Sequence, residues 1–74
     1  MFSSLLLTAK EHEILRFVAA GFKDKEIACK MYLSPRTVNS HMRDIFSKLE
    51  VHNRVQAVVT ALKYGLIKLE EISE

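Results

Sequence analysis

Arg36, Ser40, Arg43 and Ser47 recur at steps of four, three and four residues, with Asn39 on their flank. An arginine fork can donate two parallel hydrogen bonds, and an asparagine amide can both donate and accept. Serines add hydrogen bonding without bulk. Such a set recognises and holds polar edges; it does not break bonds. Nothing else in the chain offers catalysis. There is no carboxylate pair, no Gly-rich phosphate loop and no nucleophile elbow. His12, His41, His52 and Cys29 match no zinc spacing. The sequence therefore predicts no enzyme, no metal ligands and no cofactor. His41, beside an apolar stripe, reads as a packed, hydrogen-bonded side chain, and Cys29 as a simple helix residue.

The rest of the composition fits a small binding module. The chain has 74 residues, 49% hydrophobic and 27% charged, which suits one globular domain rather than a disordered tail. So short a chain buries a modest share of its surface and has little room for a deep pocket. One cysteine rules out an internal disulfide. The apolar run Leu5-Leu6-Leu7 is too short for a signal peptide or a membrane span, so a cytoplasmic location is expected. The net charge of +2 is unevenly spread. Through Leu69 there are 11 bases against 6 acids, and Glu70, Glu71 and Glu74 close the chain. A basic centre with an acidic end points to a polyanionic partner.

Four helices are predicted, near residues 8–20, 24–31, 35–49 and 54–64, giving an all-α fold. Residues 1–6 read as a disordered lead or linker, 7–69 as the domain, and 70–74 as an acidic tail. Thr8-Ala9-Lys10-Glu11 is a capping box that starts the first helix, and Gly21 stops it. Ile14, Leu15, Val18 and Ala19 form its apolar stripe. The second helix buries Ile27, Ala28 and Met31. Its start is expected to be loosely fixed, because Lys23 stands where an oxygen-bearing cap belongs. Tyr32 and Leu33 form a tight apolar connection. Ser34-Pro35 then opens the third helix. Val38, Met42, Ile45 and Leu49 line one side of it, opposite the arginines and serines. Asn53 with Gln56 forms a second capping box, and Gly65 ends the fourth helix. That helix has two stripes: Ala57, Val58 and Ala61 on one side, Val55, Val59 and Leu62 on another. The second stripe predicts a partner helix, most simply a second copy of the chain. Leu5, Leu6, Leu66, Ile67 or Leu69 are the internal alternatives for covering it.

A short helix, a tight connection and a longer helix with a slim polar face meet the needs of a helix-turn-helix DNA reader. Ser40 and Ser47 would let the face enter a groove about 12 Å wide. Arg43 could pair with guanine and Asn39 with adenine. Amides near Ser34 and Arg36 at the start of the third helix could receive phosphate. The sequence resembles the LuxR/GerE-type helix-turn-helix domain, found in NarL-like response regulators and stand-alone GerE-like regulators. The resemblance rests on Leu7-Thr8, Glu11, Ile14-Leu15, Val18-Ala19, Gly21, Lys25-Glu26-Ile27-Ala28, Leu33-Ser34, Thr37-Val38 and His41. It continues through Ile45, Lys48-Leu49, Val51, Arg54, Gln56-Ala57-Val58, Ala61 and Gly65-Leu66, spanning residues 7–66 without gaps.

The resemblance implies a bacterial transcription regulator domain that binds an inverted repeat in double-stranded DNA as a homodimer through its fourth helix. RNA polymerase is a further candidate partner. Base contacts are expected at Asn39, Ser40 and Arg43, and phosphate contacts at Lys25, Ser34, Thr37 and Lys48. Lys23, Arg36 and Ser47 complete the expected phosphate set. Arg54 falls on the inner side of its helix and reads equally well as the partner of a glutamate such as Glu26. Two positions depart from the family pattern: Asn39 where a lysine or arginine is usual, and Lys23 in place of a hydroxyl cap. The competing expectation is a helical protein-binding module that docks its partner through the fourth helix. Most members of the family carry a receiver or ligand domain, so the resemblance favours an output domain from a longer regulator over a stand-alone one.

Overall fold

Helix ends decide this architecture, because short connections leave each helix little freedom in direction. The computed structural model describes residues 7–68. The expected lead (1–6) and acidic tail (70–74) lie outside the described residues, as do Leu5, Leu6 and Leu69. The order is α1 (Ala9–Ala19), α2 (Asp24–Met31), α3 (Pro35–Leu49) and α4 (Arg54–Lys63). Among the described residues there is no strand, and no helix is long and apolar enough to cross a membrane.

The starts are held by side chains. Thr8 Oγ1 accepts the Glu11 amide at 3.1 Å, and Glu11 Oε1 accepts the Thr8 amide at 2.9 Å. The expected capping box of α1 is therefore complete. Ser34 Oγ caps α3 by accepting the Thr37 amide at 3.1 Å. Two starts differ from expectation. Lys23 has no side-chain lone pair to offer, yet its own amide donates to Glu26 Oε1 at 2.7 Å. That half-box fixes the start of α2 more firmly than the missing hydroxyl implies. At α4, Asn53 Oδ1 accepts the Gln56 amide, but Gln56 Oε1 reaches past Asn53 to the His52 amide at 2.8 Å.

All four helices end the same way. An amide two or three residues beyond the helix bonds back five residues: Phe22 to Phe17, Leu33 to Ala28, Val51 to Phe46 and Leu66 to Ala61. This is the Schellman arrangement, and it requires a left-handed residue just before each of those amides. Gly21 and Gly65 supply it at φ +93° and +73°. Tyr32 and Glu50 supply it without a glycine, at φ +58° and +59°. Phe22, Leu33, Val51 and Leu66 then turn inward against the core. The expectation for Tyr32 is corrected here: it is 95% exposed, and Leu33 alone makes the apolar connection. The αL backbone at Tyr32 throws its side chain outward while the chain reverses.

The core joins Ile14, Leu15 and Val18 of α1, Ile27 and Ala28 of α2, and the whole expected α3 stripe. Ala57 and Ala61 close it from α4, and Ile67 folds back beneath them. Met31 and Ala19 are only half-buried. α3 packs against each of the other three helices. Its orientation is thus fixed from several sides.

A left-handed L-residue costs about 1–2 kcal/mol, part of which glycine returns as extra freedom in the unfolded chain. Tyr32→Gly should therefore raise stability by about 0.5–1 kcal/mol, measured as a higher urea midpoint with unchanged slope. A lower midpoint would mean that the Tyr32 ring makes a stabilising contact despite its exposure.

Candidate nucleic-acid interface

α3 separates its two chemistries cleanly. Val38 and Ile45 are fully buried, with Met42 and Leu49 nearly so. On the other side Arg36, Asn39, Ser40, Arg43 and Ser47 are all exposed. Four inward anchors at helical spacing leave the helix one stable rotation about its axis. The polar set is consequently presented outward as a unit. Among the described residues, Arg36 and Arg43 form no salt bridge. The exposed Asp44 adds a carboxylate at the edge of this face.

The start of α3 offers less than the sequence implied. Pro35 has no N–H, Ser34 Oγ takes that of Thr37, and the Val38 amide is already bonded to the Ser34 carbonyl. The Arg36 amide is the remaining first-turn donor. Ser34 Oγ and Thr37 Oγ1 also share a hydrogen bond at 2.9 Å, so the two hydroxyls form one polar patch. Lys23 and Lys25 flank it from the exposed start of α2.

Two basic residues are committed to the fold. Arg54 Nη1 lies 2.6 Å from Asp24 Oδ1, and its Nη2 donates to the Phe22 carbonyl at 2.9 Å. The expected glutamate partner is thus corrected to Asp24; Glu26 is occupied with the Lys23 amide. Lys48 Nζ lies 2.8 Å from Glu11 Oε1. Glu11 is only 3% exposed, the one buried charged residue among those described. Burial raises its pKa, but hydrogen bonds from Lys48 and the Thr8 amide, with the charges of Lys48 and His41, more than offset this. The net effect holds the Glu11 carboxyl below its ordinary 4.5. Sequence reasoning saw Glu11 only as half of a cap. The missed signal was its place on the inward stripe, three, four and seven residues ahead of Ile14, Leu15 and Val18.

On α4, Val55 and Val59 are 72% and 56% exposed, whereas Leu62 is half-buried against the core. The two valines line an open groove with Glu50, Val51, His52, Gln56 and Thr60. Leu66 and Ile67, expected as alternative covers, pack on the core and leave both valines accessible.

Comparison with known proteins agrees with this geometry. Residues 5–61 match the GerE family model, described as bacterial regulatory proteins of the luxR family. The response regulator protein VraR of Staphylococcus aureus is 43% identical over 63 residues, covering 85% of this chain. The chain spans only 30% of VraR's length. Among solved structures, the transcription factor GerE superposes with a TM-score of 0.81 at 33% identity, covering 86% of this chain and 96% of GerE. The response regulator ChrA of a heme-sensing two-component system superposes equally well at 39% identity, covering 82% of this chain and 30% of ChrA.

The Glu11–Lys48 bridge makes a testable statement about acid stability. A carboxyl whose folded pKa is depressed stabilises the fold fully above its unfolded value. That contribution is lost as pH falls through the folded value. Glu11→Gln should lower stability near neutrality by about 1.5–3 kcal/mol, the range for hydrogen bonds to charged groups. It should also flatten the loss of stability below pH 4.5. Urea melts across the acid range test both. Parallel wild-type and variant curves would remove the bridge from the stability account.

Proposed function

The chain belongs to the luxR family of bacterial regulatory proteins and is a DNA-binding helix-turn-helix domain; on that premise we propose that α3 reads the major groove of an inverted-repeat site. The observation that carries this reading is the slim exposed face of α3, opposed by four buried anchors. Arg43 pairs with guanine through its two-donor fork, Asn39 with adenine, and Ser40 adds a short-range contact. Lys23, Lys25, Ser34, Arg36, Thr37, Ser47 and Lys48 meet the phosphates that flank the groove. They set register without reading sequence. Lys48 reaches phosphate with an ammonium that also neutralises Glu11, so its contact is the most constrained of the set.

The fourth helix pairs two copies. Val55 and Val59, with Leu62 at the edge, form an apolar seam against the same residues of a second chain. Exposed valines on a 74-residue domain support this use. Two-fold symmetry then matches the inverted repeat, with half-sites about one helical turn apart.

Binding to a site selected from random duplexes should weaken steeply with salt, because each phosphate-bound cation releases counterions. Arg43→Ala should cost about 1–3 kcal/mol on that site and relax the preference at one base position. An equal loss on cognate and random duplex would make Arg43 a phosphate contact instead. Val59→Glu should lower self-association in sedimentation; an unchanged profile would remove α4 as the seam.

A further inference from the structure

The sequence offers no zinc pattern because its histidines and cysteine are wrongly spaced, but the fold adds a carboxylate from another helix. Glu11 of α1 meets His41 and Asp44 of α3. One ligand atom from each lies within 4.8 Å of the other two. His41 and Asp44 stand three residues apart, on neighbouring turns of one helix face. Glu11 approaches from the opposite wall.

The Glu11 carboxylate has an unusual distribution of partners. The Thr8 amide and the Lys48 ammonium both end on Oε1. Among the described residues Oε2 receives no donor, and since no buried side-chain oxygen there lacks a partner, Oε2 keeps contact with solvent. One oxygen therefore anchors the residue while the other keeps its coordinating capacity. A cation is already drawn to this carboxylate in the form of Lys48, whose side chain is 26% exposed.

We propose that Glu11, His41 and Asp44 form a binding site for a divalent transition ion of the zinc class, bridging α1 and α3. Two carboxylates and an imidazole are ligands such an ion accepts, with bonds of about 2.0–2.2 Å and water completing the shell. Bonds of that length place two tetrahedral ligand atoms about 3.4 Å apart. The present separations close to that value through side-chain rotation of the exposed Asp44 and half-buried His41. Glu11 stays fixed by its cap. A dication balances the charges of Glu11 and Asp44, so Lys48 gives up its place on Glu11 as the ion enters. The site has no catalytic role: it ties the first helix to the reading helix in the presence of metal.

Titrating the 74-residue chain with Zn2+ alone, followed by backbone and imidazole NMR and by melting temperature, tests this. Saturable one-to-one binding should shift resonances of Glu11, His41 and Asp44 and raise the melting temperature. His41→Gln and Asp44→Asn should each weaken binding about tenfold or more, as loss of a supporting group at metal sites does. Should His41→Gln fail to fold, Asp44→Asn, altering an exposed side chain, still gives the answer. Lys48→Met should tighten binding by removing the competing cation. No saturable binding, unchanged affinity in both ligand variants, or shifts centred on His12, Cys29 or His52 would overturn the proposal.

Discussion

A single buried carboxylate fixes how α1 and α3 meet. Glu11 Oε1 closes the first turn of its own helix through the Thr8 amide and receives Lys48 from the last turns of α3. Apolar contacts between the two helices are non-directional and tolerate small rotations. An ion pair with hydrogen-bond geometry does not. Replacing a buried pair by apolar residues of similar size often costs nothing, so the contribution of this one is better sought in registry than in net stability. A rotation of α3 that moved Lys48 off Glu11 would also turn Asn39 and Arg43 away from their outward direction. The geometry of the exposed polar face of α3 is in this sense anchored on the far side of the helix.

The helix ends do complementary work. Each connection is only a few residues long, and each reverses through a left-handed residue followed by an inward apolar one. At the α2–α3 connection this sequence is Tyr32, Leu33, Ser34: reversal, core contact, cap. Nothing is left over to flex. The Ser34 cap and the Pro35 ring then start α3 at a defined place, with Arg36 as its first exposed base. The strain accepted at Tyr32 is the cost of a connection this short.

Much of this was legible in the sequence, and what was not has a common cause. The Thr8–Glu11 and Ser34–Pro35 signals, Gly21, Gly65 and the Val38–Leu49 stripe are local, and each appears in the structure as expected. The left-handed residues at Tyr32 and Glu50 escaped notice because no glycine marks them, although the apolar Leu33 and Val51 after them fit the motif. The Arg54–Asp24 and Lys48–Glu11 pairs join residues far apart in sequence, so periodicity could not choose their partners. It offered Glu26 to Arg54, where the fold supplies Asp24. Gln56 illustrates a finer limit. Its type and spacing predicted a cap, but which amide it would reach depended on the path of His52 and Asn53.

The composition of α4 bears on what it was built to meet. A helix whose only partner is its own core places its larger apolar side chains inward and small or polar ones outward. Here the order is only partly kept. Ala57 and Ala61 are fully buried with Val58 and Leu62 half-buried beside them, while Val55 and Val59 face out. Alanines let α4 approach the core closely but bury little area there, so its attachment depends on Val58, Leu62, Leu66, Ile67 and the Arg54–Asp24 bridge as well. The apolar area of Val55 and Val59 on the outside contributes little to an isolated chain and exposes it to association. A second copy presenting the same two valines would recover that area on both sides at once. The symmetry of such a contact is that of an inverted repeat, so the exposed valines of α4 and the outward face of α3 are consistent with one assembly.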